Sequence, residues 1–247
     1  MRVSIFLFIV TVVVTGCSLN NVKEDKSLAK FFTENKVEGA FAIMDNGTGQ
    51  FTLHNLGRFK DSAYLPAQTY HIVHALIGLQ TGKIASDSTL ANLSFAPSAI
   101  AKDTLQFWLD SLGYGARNDK EVVKITTSVD SFWLDNSLKV SPDAQLGLVK
   151  RLYFDQLPFF KSYQQTVKRA MMVEDNTKYR LGYQTGVGFA KNGHQLGWVV
   201  GWIEENNHPY FFVLNVETPD TNVEVATLQI KMLKDILKAQ DFFEGNR

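Results

Sequence analysis

The sequence has a single cysteine, Cys17, among its 247 residues. One thiol cannot form a disulfide within the chain, so the fold must rely on its hydrophobic core. A surplus of charge is also missing, because 25 Lys and Arg residues balance 25 Asp and Glu residues. Binding to nucleic-acid phosphates needs a basic surplus, and the balance therefore argues against a nucleic-acid partner.

The apolar run near the N-terminus, residues 5–14, is too short to span a bilayer comfortably. Residues 1–16 are therefore predicted to be a signal peptide. Residues 14–17, Val-Thr-Gly-Cys, resemble the bacterial lipobox, in which the cysteine is acylated and becomes the first residue. The alternative is a cysteine that merely lies within the apolar region. Lipidation of Cys17 predicts a membrane-anchored protein of the cell envelope, on the periplasmic or outer-membrane side, with residues 17–27 as a tether.

The rest of the chain, residues 28–247, is predicted to form one domain, because the chain is 45% hydrophobic and has no low-complexity stretch. The apolar pattern predicts helices at residues 28–35, 66–82, 143–154, 164–172 and 223–239. It predicts strands at residues 39–45, 51–55, 179–185, 195–204 and 210–217, with Asn46-Gly47 as a type I′ hairpin turn.

This order of elements indicates an α+β fold. A five-stranded antiparallel sheet is expected from residues 28–66 and 177–247, flanked by the first and last helices. The residues between, 67–176, are expected to form an inserted and shortened helical lobe.

Several segments resemble the motifs of one family. Residues 64–72 are similar to its Pro-Ala-Ser-Thr-Phe-Lys-Ile region, residues 112–115 to its Tyr-Gly-Asn motif, residues 132–135 to its Phe-Trp-Leu segment, residues 183–186 to its Lys-Thr-Gly motif, and residues 196–202 and 211–215 to two strands that follow. The chain thus resembles the class D (oxacillinase-type) serine β-lactamases and the penicillin-binding transpeptidases, from about Gly39 to its C-terminus. The resemblance implies the β-lactamase/transpeptidase fold.

The resemblance also implies where acyl transfer would occur. The family supplies Ser and Lys as Ser-x-x-Lys on the first turn of a helix, so that both side chains enter one cleft. In this sequence Gln68 and His71 stand at those positions, and Gln184 stands where the Lys of Lys-Thr-Gly belongs. Glutamine has no hydroxyl and cannot form an acyl-enzyme, and an imidazole cannot copy the lysine base of class D enzymes. No catalytic residue is therefore assigned, and the remaining family positions are candidates for the binding cleft: Tyr114, Trp133, Thr185 and Gly186.

Two other segments depart from the family pattern. The Ser-x-Val motif of the lobe has no counterpart at the usual distance, because Ser98-Ala99-Ile100 lies too near Tyr114. A deletion of that helix is therefore predicted. Residues 222–227 lack the arginine that commonly receives the substrate carboxylate in the family.

Some residues have alternative interpretations. Thr69 could act as a nucleophile with His71 or His74 as its base, but Thr69 and His71 do not share a helix face. His71 and His74 do share a face, yet a metal site would need a third ligand, and no other histidine lies at a telling spacing.

Four aromatic residues raise a similar question. Trp133 could line the cleft or fill the core, and Tyr70 is predicted to be buried. Trp198 and Trp202 share one face of a strand and are predicted to pack against the terminal helix.

Together these features predict a catalytically inactive relative, without cofactor or metal. Its cleft would bind a peptide, a cell-wall fragment, a β-lactam or another protein. Two alternatives remain: an active β-lactamase or penicillin-binding enzyme with unconventional catalytic groups, and a purely structural lipoprotein with a filled cleft. The fold alone does not decide among them, because function depends on the site.

Overall fold

A seven-stranded sheet forms the centre of the molecule, which is known from a computed structural model that describes residues 21–84, 100–117, 121–122 and 124–247. The sheet order is β1-β3-β2-β9-β8-β7-β6, and every neighbouring pair is antiparallel except β1 and β3. Its strands are β1 (Val22–Glu24), β2 (Glu38–Asp45), β3 (Phe51–His54), β6 (Met172–Asp175), β7 (Arg180–Phe189), β8 (Gln195–Glu205) and β9 (His208–Thr218). The short strands β4 (Ala116–Arg117) and β5 (Glu121–Val122) pair separately.

The predicted α+β fold is confirmed, but the sheet has two more strands than expected and is mixed. Strand β1 lies in residues predicted to be a tether, so part of that segment belongs to the domain. Strand β6 lies in residues assigned to the helical lobe. Strands of three or four residues carry too few positions for an alternating pattern to reveal them.

Seven α-helices surround the sheet in the described part of the chain. They are α1 (Ala29–Glu34), α2 (Leu56–Asp61), α3 (His71–Gln80), α4 (Lys102–Leu112), α5 (Pro142–Tyr153), α6 (Lys161–Ala170) and α7 (Val225–Ala239). Helix α5 begins one residue before its predicted start, and the Ser141 hydroxyl caps it by accepting a hydrogen bond from the backbone N–H of Ala144. Such a cap stabilises a helix by about 1 kcal/mol. No helix in the described residues is both long and apolar enough to cross a membrane.

The sheet separates two hydrophobic cores. One core lies beneath α3, α4 and α5, and the other lies beneath α1 and α7. Successive residues of β8 alternate between them, because side chains of a strand point to opposite faces. Trp198 and Trp202 belong to the first core, and Val199 and Ile203 belong to the second.

The prediction that Trp198 and Trp202 pack against the terminal helix is therefore wrong. Both rings are buried on the opposite face, where the Trp198 indole N–H donates to the carbonyl of Leu65 over 2.9 Å. Trp202 packs edge-on against Tyr153 of α5, with ring centroids 5.7 Å apart. Strand periodicity correctly puts the two residues on one face but does not say which face.

The turn between β2 and β3 also differs from its prediction. Neither Asn46 nor Gly47 has the positive φ that a type I′ turn requires, and only Gly49 does, at φ 70°. The Asp45 carboxylate accepts hydrogen bonds from the backbone N–H groups of Gly47 and Thr48 instead. An Asp side chain that satisfies two amides makes a longer turn stable.

Candidate functional site

The site lies at the outer edge of β7. Strand β6 pairs only with Arg180–Gly182 of β7, and the Tyr183 N–H then donates to the Met171 carbonyl over 2.9 Å. From Gln184 onward, no strand in the described residues lies beside this edge. The edge therefore offers backbone groups to other partners.

A 3-10 turn, Ala67–Tyr70, packs against this open edge just before α3. A Cβ placed on Gly186 would lie 3.0 Å from the backbone nitrogen of Gln68 and 3.0 Å from that of Thr69. An alanine here would require those backbone atoms to move by a few tenths of an ångström. The turn is held in a strained conformation, because the buried Ala67 has a positive φ of 49°.

The three glycines of β7 that face the lobe all lie in close contacts. A Cβ on Gly182 would meet the Trp202 ring at 2.3 Å, and one on Gly188 would meet Leu65 at 2.6 Å. Gly186 meets the backbone of the 3-10 turn. The lobe-facing side of this strand is therefore filled by its neighbours.

Gln68 connects the turn to the open edge. Its side-chain oxygen accepts a hydrogen bond of 2.7 Å from the backbone N–H of Val187. The Gln184 amide donates to the backbone carbonyls of Gln68 and Thr185, over 3.4 and 3.2 Å. A neutral hydrogen bond contributes about 1 kcal/mol net, so a ligand could displace the Gln68 side chain from Val187 at modest cost.

Thr69 turns away from this site. Its hydroxyl is fully buried, donates to the Pro66 carbonyl over 2.5 Å and accepts from the Gln145 side chain over 2.6 Å. The Tyr114 hydroxyl completes the chain of contacts, 3.5 Å from Gln145. The arrangement removes Thr69 as a nucleophile, because its oxygen has no access to the cleft.

Two histidines lie on the first turn of α3. His71 lines the cleft, and its burial lowers its pKa. Burial lowers the pKa of His74 to about 4, with a further contribution from His71. Both imidazoles are therefore neutral at pH 7. No group of three or more His, Cys, Asp or Glu residues in the described chain could hold a metal ion.

Tyr114 and Trp133 require a correction. Both were expected in the binding cleft, with the core as the alternative for Trp133, but they are only 5% and 4% exposed and do not line it. Trp133 stacks on the buried Tyr70, with ring centroids 5.0 Å apart, and Phe132 packs edge-on against both rings. Their positions in the family motifs indicate that they lie near the cleft, but not how deeply their side chains are buried. The predicted burial of Tyr70 is correct.

The cleft itself is open, with a volume of about 650 Å³. The polar side chains that line it are Gln68, His71, Tyr183, Gln184, Thr185 and Gln229. The other described lining residues are Ala170, Met171, Met172, Val173, Gly186, Val187 and Ala226. The structure thus brings together the predicted positions Gln68, His71, Gln184, Thr185 and Gly186.

Sequence reasoning missed the contributions of α6, β6 and α7 to this cleft. Met171 and Met172 follow α6, and no motif marks them. Ala226 and Gln229 begin α7. The missing arginine of residues 222–227 was the one signal that pointed to that end of the helix. Cys17, Ser98 and Ala99 lie outside the described residues.

Only one Ser-x-x-Lys sequence occurs in the chain, Ser27-Leu28-Ala29-Lys30. Ser27 precedes α1 and Lys30 lies within it, and both are exposed and do not line the cleft. The Ser27 hydroxyl instead donates to the Asp25 carboxylate over 2.7 Å. This sequence is therefore not a displaced catalytic motif.

A family model described as the penicillin binding protein transpeptidase domain matches residues 93–238, which is more than half of the chain. The chain belongs to the penicillin-binding protein transpeptidase family. Beta-lactamase OXA-48 of Klebsiella pneumoniae is 27% identical over 246 residues, covering 88% of this chain and 89% of that protein. The probable beta-lactamase YbxI of Bacillus subtilis is 28% identical over 221 residues, covering 78% and 79% of the two chains.

Solved structures agree with the fold. The class D beta-lactamase YbXI from Nostoc superposes with a TM-score of 0.74 at 26% identity, covering 87% of this chain and 98% of that one. The C-terminal domain of the Bacillus licheniformis BlaR penicillin-receptor superposes with a TM-score of 0.79 at 22% identity, covering 90% and 98%. The expected β-lactamase/transpeptidase fold and the resemblance to class D are confirmed.

Proposed function

We propose that this protein is a class D β-lactamase-like lipoprotein that binds its ligand without being acylated, and that it serves in binding or regulation at the cell envelope. One observation carries the proposal. Gln68 stands where the resemblance implies the nucleophilic serine, and its amide oxygen accepts from the Val187 N–H. The side chain is thus an acceptor held against the strand, not an alcohol facing a substrate.

The other hydroxyls of the cleft offer no replacement. In the described structure, neither Tyr183 nor Thr185 hydrogen-bonds through its hydroxyl to a basic side chain. Burial raises the pKa of Tyr183, so its phenol stays protonated at pH 7. Nucleophilic catalysis needs an activated hydroxyl within reach of a base, and these groups lack that arrangement.

Binding is supported by the open cleft and by the relatives. A cleft of about 650 Å³ argues against a purely structural protein with a filled site. One structural neighbour is named a penicillin-receptor, which is a binding role on this fold. The proposed ligand class therefore includes peptides, cell-wall fragments and β-lactams.

Covalent labelling tests the proposal. The purified full chain in detergent is incubated with benzylpenicillin and with a fluorescent penicillin, and its intact mass is measured. We expect no added mass, no fluorescent band, and no nitrocefin hydrolysis above buffer. A class D β-lactamase treated in parallel proves that the reagents react.

An active enzyme is the competing candidate, because the similar curated relatives are named β-lactamases. A penicilloyl adduct on any residue, or nitrocefin turnover that follows the protein through purification, would overturn the proposal in favour of that candidate.

A further inference from the structure

The cleft has no charged lining. None of the described residues that line it is Asp, Glu, Lys or Arg. Its polar side chains are three glutamines, a tyrosine, a threonine and His71, whose burial lowers its pKa. At pH 7 the described walls therefore carry no formal charge.

Two opposite charges act on one wall of the cleft. Lys234 and Glu174 both act on Tyr183, with opposite effects on its pKa. They also form an ion pair with each other, 2.7 Å between the ammonium nitrogen and the carboxylate oxygen. The opposite charges of the pair largely neutralise each other at this distance.

The cleft already holds a neutral amide. The side-chain carbonyl of Gln68 accepts from the Val187 N–H, and the Gln184 amide donates to the backbone carbonyl of Gln68. The groups around the open edge of β7 therefore suit an uncharged amide. A carboxylate placed there would lose its hydrating water without gaining a cation as a partner. The free-energy cost is larger than for an amide, which finds a hydrogen-bond donor in the cleft.

Resting on the proposed function, we propose that the cleft selects neutral, amide-bearing ligands over carboxylates. This narrows the ligand class of the proposed function to a stretch of peptide backbone without a free carboxyl end, and it leaves out ligands that carry a carboxylate. Gln68 is the internal stand-in for this ligand: its amide oxygen leaves Val187 when the carbonyl of the ligand arrives. Gln184 determines the specificity, because it keeps the wall uncharged.

A matched pair of peptides tests the inference. Acetyl-trialanine amide and acetyl-trialanine free acid differ at pH 7 by one negative charge at the C-terminal end. The full chain in detergent carries 13C-methyl methionine, so that Met171 and Met172 report on the cleft while Met44 and Met232 report on the two cores. We expect the amide to shift the cleft signals with a Kd at least about fivefold below that of the acid, because the acid has no cation to meet.

Two variants with the same change in charge sharpen the test. Gln184→Lys adds a cation to the wall, and we expect it to reverse the preference so that the acid binds more tightly. Gln156→Lys adds the same charge at an exposed position outside the cleft, and we expect the preference for the amide to remain.

Each outcome has a definite meaning. The inference is overturned if the wild-type chain binds the acid as tightly as the amide, if neither peptide shifts the cleft signals up to its solubility limit, or if Gln156→Lys reverses the preference as Gln184→Lys does. A penicilloyl adduct in the separate mass measurement defeats the proposed function itself, so the two failures are distinguishable.

Discussion

Burial sets the protonation of single residues in this molecule. His74 is 1% exposed, and burial lowers its pKa to about 4. An unfolded chain would leave the same imidazole near its ordinary pKa of about 6.5. At pH values between these two pKa values, the imidazole is protonated in the unfolded state and neutral in the folded state.

The stability of the protein should therefore fall as pH drops from about 6.5 towards 4. The contribution of the neutral imidazole to the free energy of unfolding is fully present above about pH 6.5. Near pH 4 its loss approaches about 3 kcal/mol. His74→Gln removes this titration. Urea unfolding of both proteins at several pH values measures the effect, and the free energy of unfolding of the wild type should decline more steeply over this range. If the free energy of unfolding changes equally with pH in the wild type and in His74→Gln, the lowered pKa of His74 is contradicted.

The residue positions implied by the family motifs were a good guide to the cleft. Gln68, His71 and Gln184 all line it, as their motif positions predicted. Tyr114 and Trp133 do not, because large aromatic rings beside the cleft pack inward on Tyr70. A motif specifies where the backbone lies in a fold, whereas the depth of a side chain depends on which rings compete for the same space.

At the level of elements, the contact between β7 and the 3-10 turn creates the site. The strand approaches the turn so closely that a Cβ added to Gly186 would have backbone atoms of Pro66, Gln68 and Thr69 within 3.1 Å. Backbone atoms cannot move aside as a flexible side chain can. The spacing of the two elements therefore depends on this one glycine.

Gly186→Ala should destabilise the fold by about 1–3 kcal/mol, because the added methyl group forces the turn away from the strand. It should also break the hydrogen bond between Gln68 and Val187. Gly57→Ala is the control, since nothing lies within 4 Å of its Cβ position in α2. Chemical denaturation measures the free energy of unfolding of both variants. If Gly186→Ala leaves it unchanged, the 3-10 turn can move away from β7 without cost, and the prediction is wrong.

The order of the main elements could be predicted from the sequence, because α5, α7 and the long strands have clear apolar periods. Strands β1 and β6 could not, since each is set by the partner it pairs with and not by its own pattern. The face occupied by Trp198 and Trp202 was likewise undetermined, because a period of two residues is symmetric with respect to the two sides of a sheet.

For the whole molecule, β1 determines how near the domain would lie to a membrane. Strand β1 begins at Val22, five positions after Cys17. Five residues span at most about 17 Å even when fully extended. If Cys17 carries acyl chains, as we propose, the sheet edge formed by β1 stays close to the bilayer and the domain has little freedom to move away.

Metabolic labelling with a clickable palmitate analogue tests the proposed anchor. We expect label on the wild-type chain and none on Cys17→Ala, because the thiol is the acceptor. Ser18→Ala changes the adjacent residue and should keep the label. Label on Cys17→Ala, or an unlabelled wild type, would refute lipidation at this position.

The three lobe-facing glycines of β7 limit the evolution of this protein. A larger side chain at Gly182 would meet the Trp202 ring and one at Gly188 would meet Leu65, whereas one at Gly186 would meet backbone atoms, which move aside least readily. New ligand preferences are then expected from substitutions at neighbouring cleft residues, above all Gln184 and Thr185. Few substitutions can therefore change which ligand this protein binds. A survey of natural variants should find more sequence variation at Gln184 and Thr185 than at the three glycines.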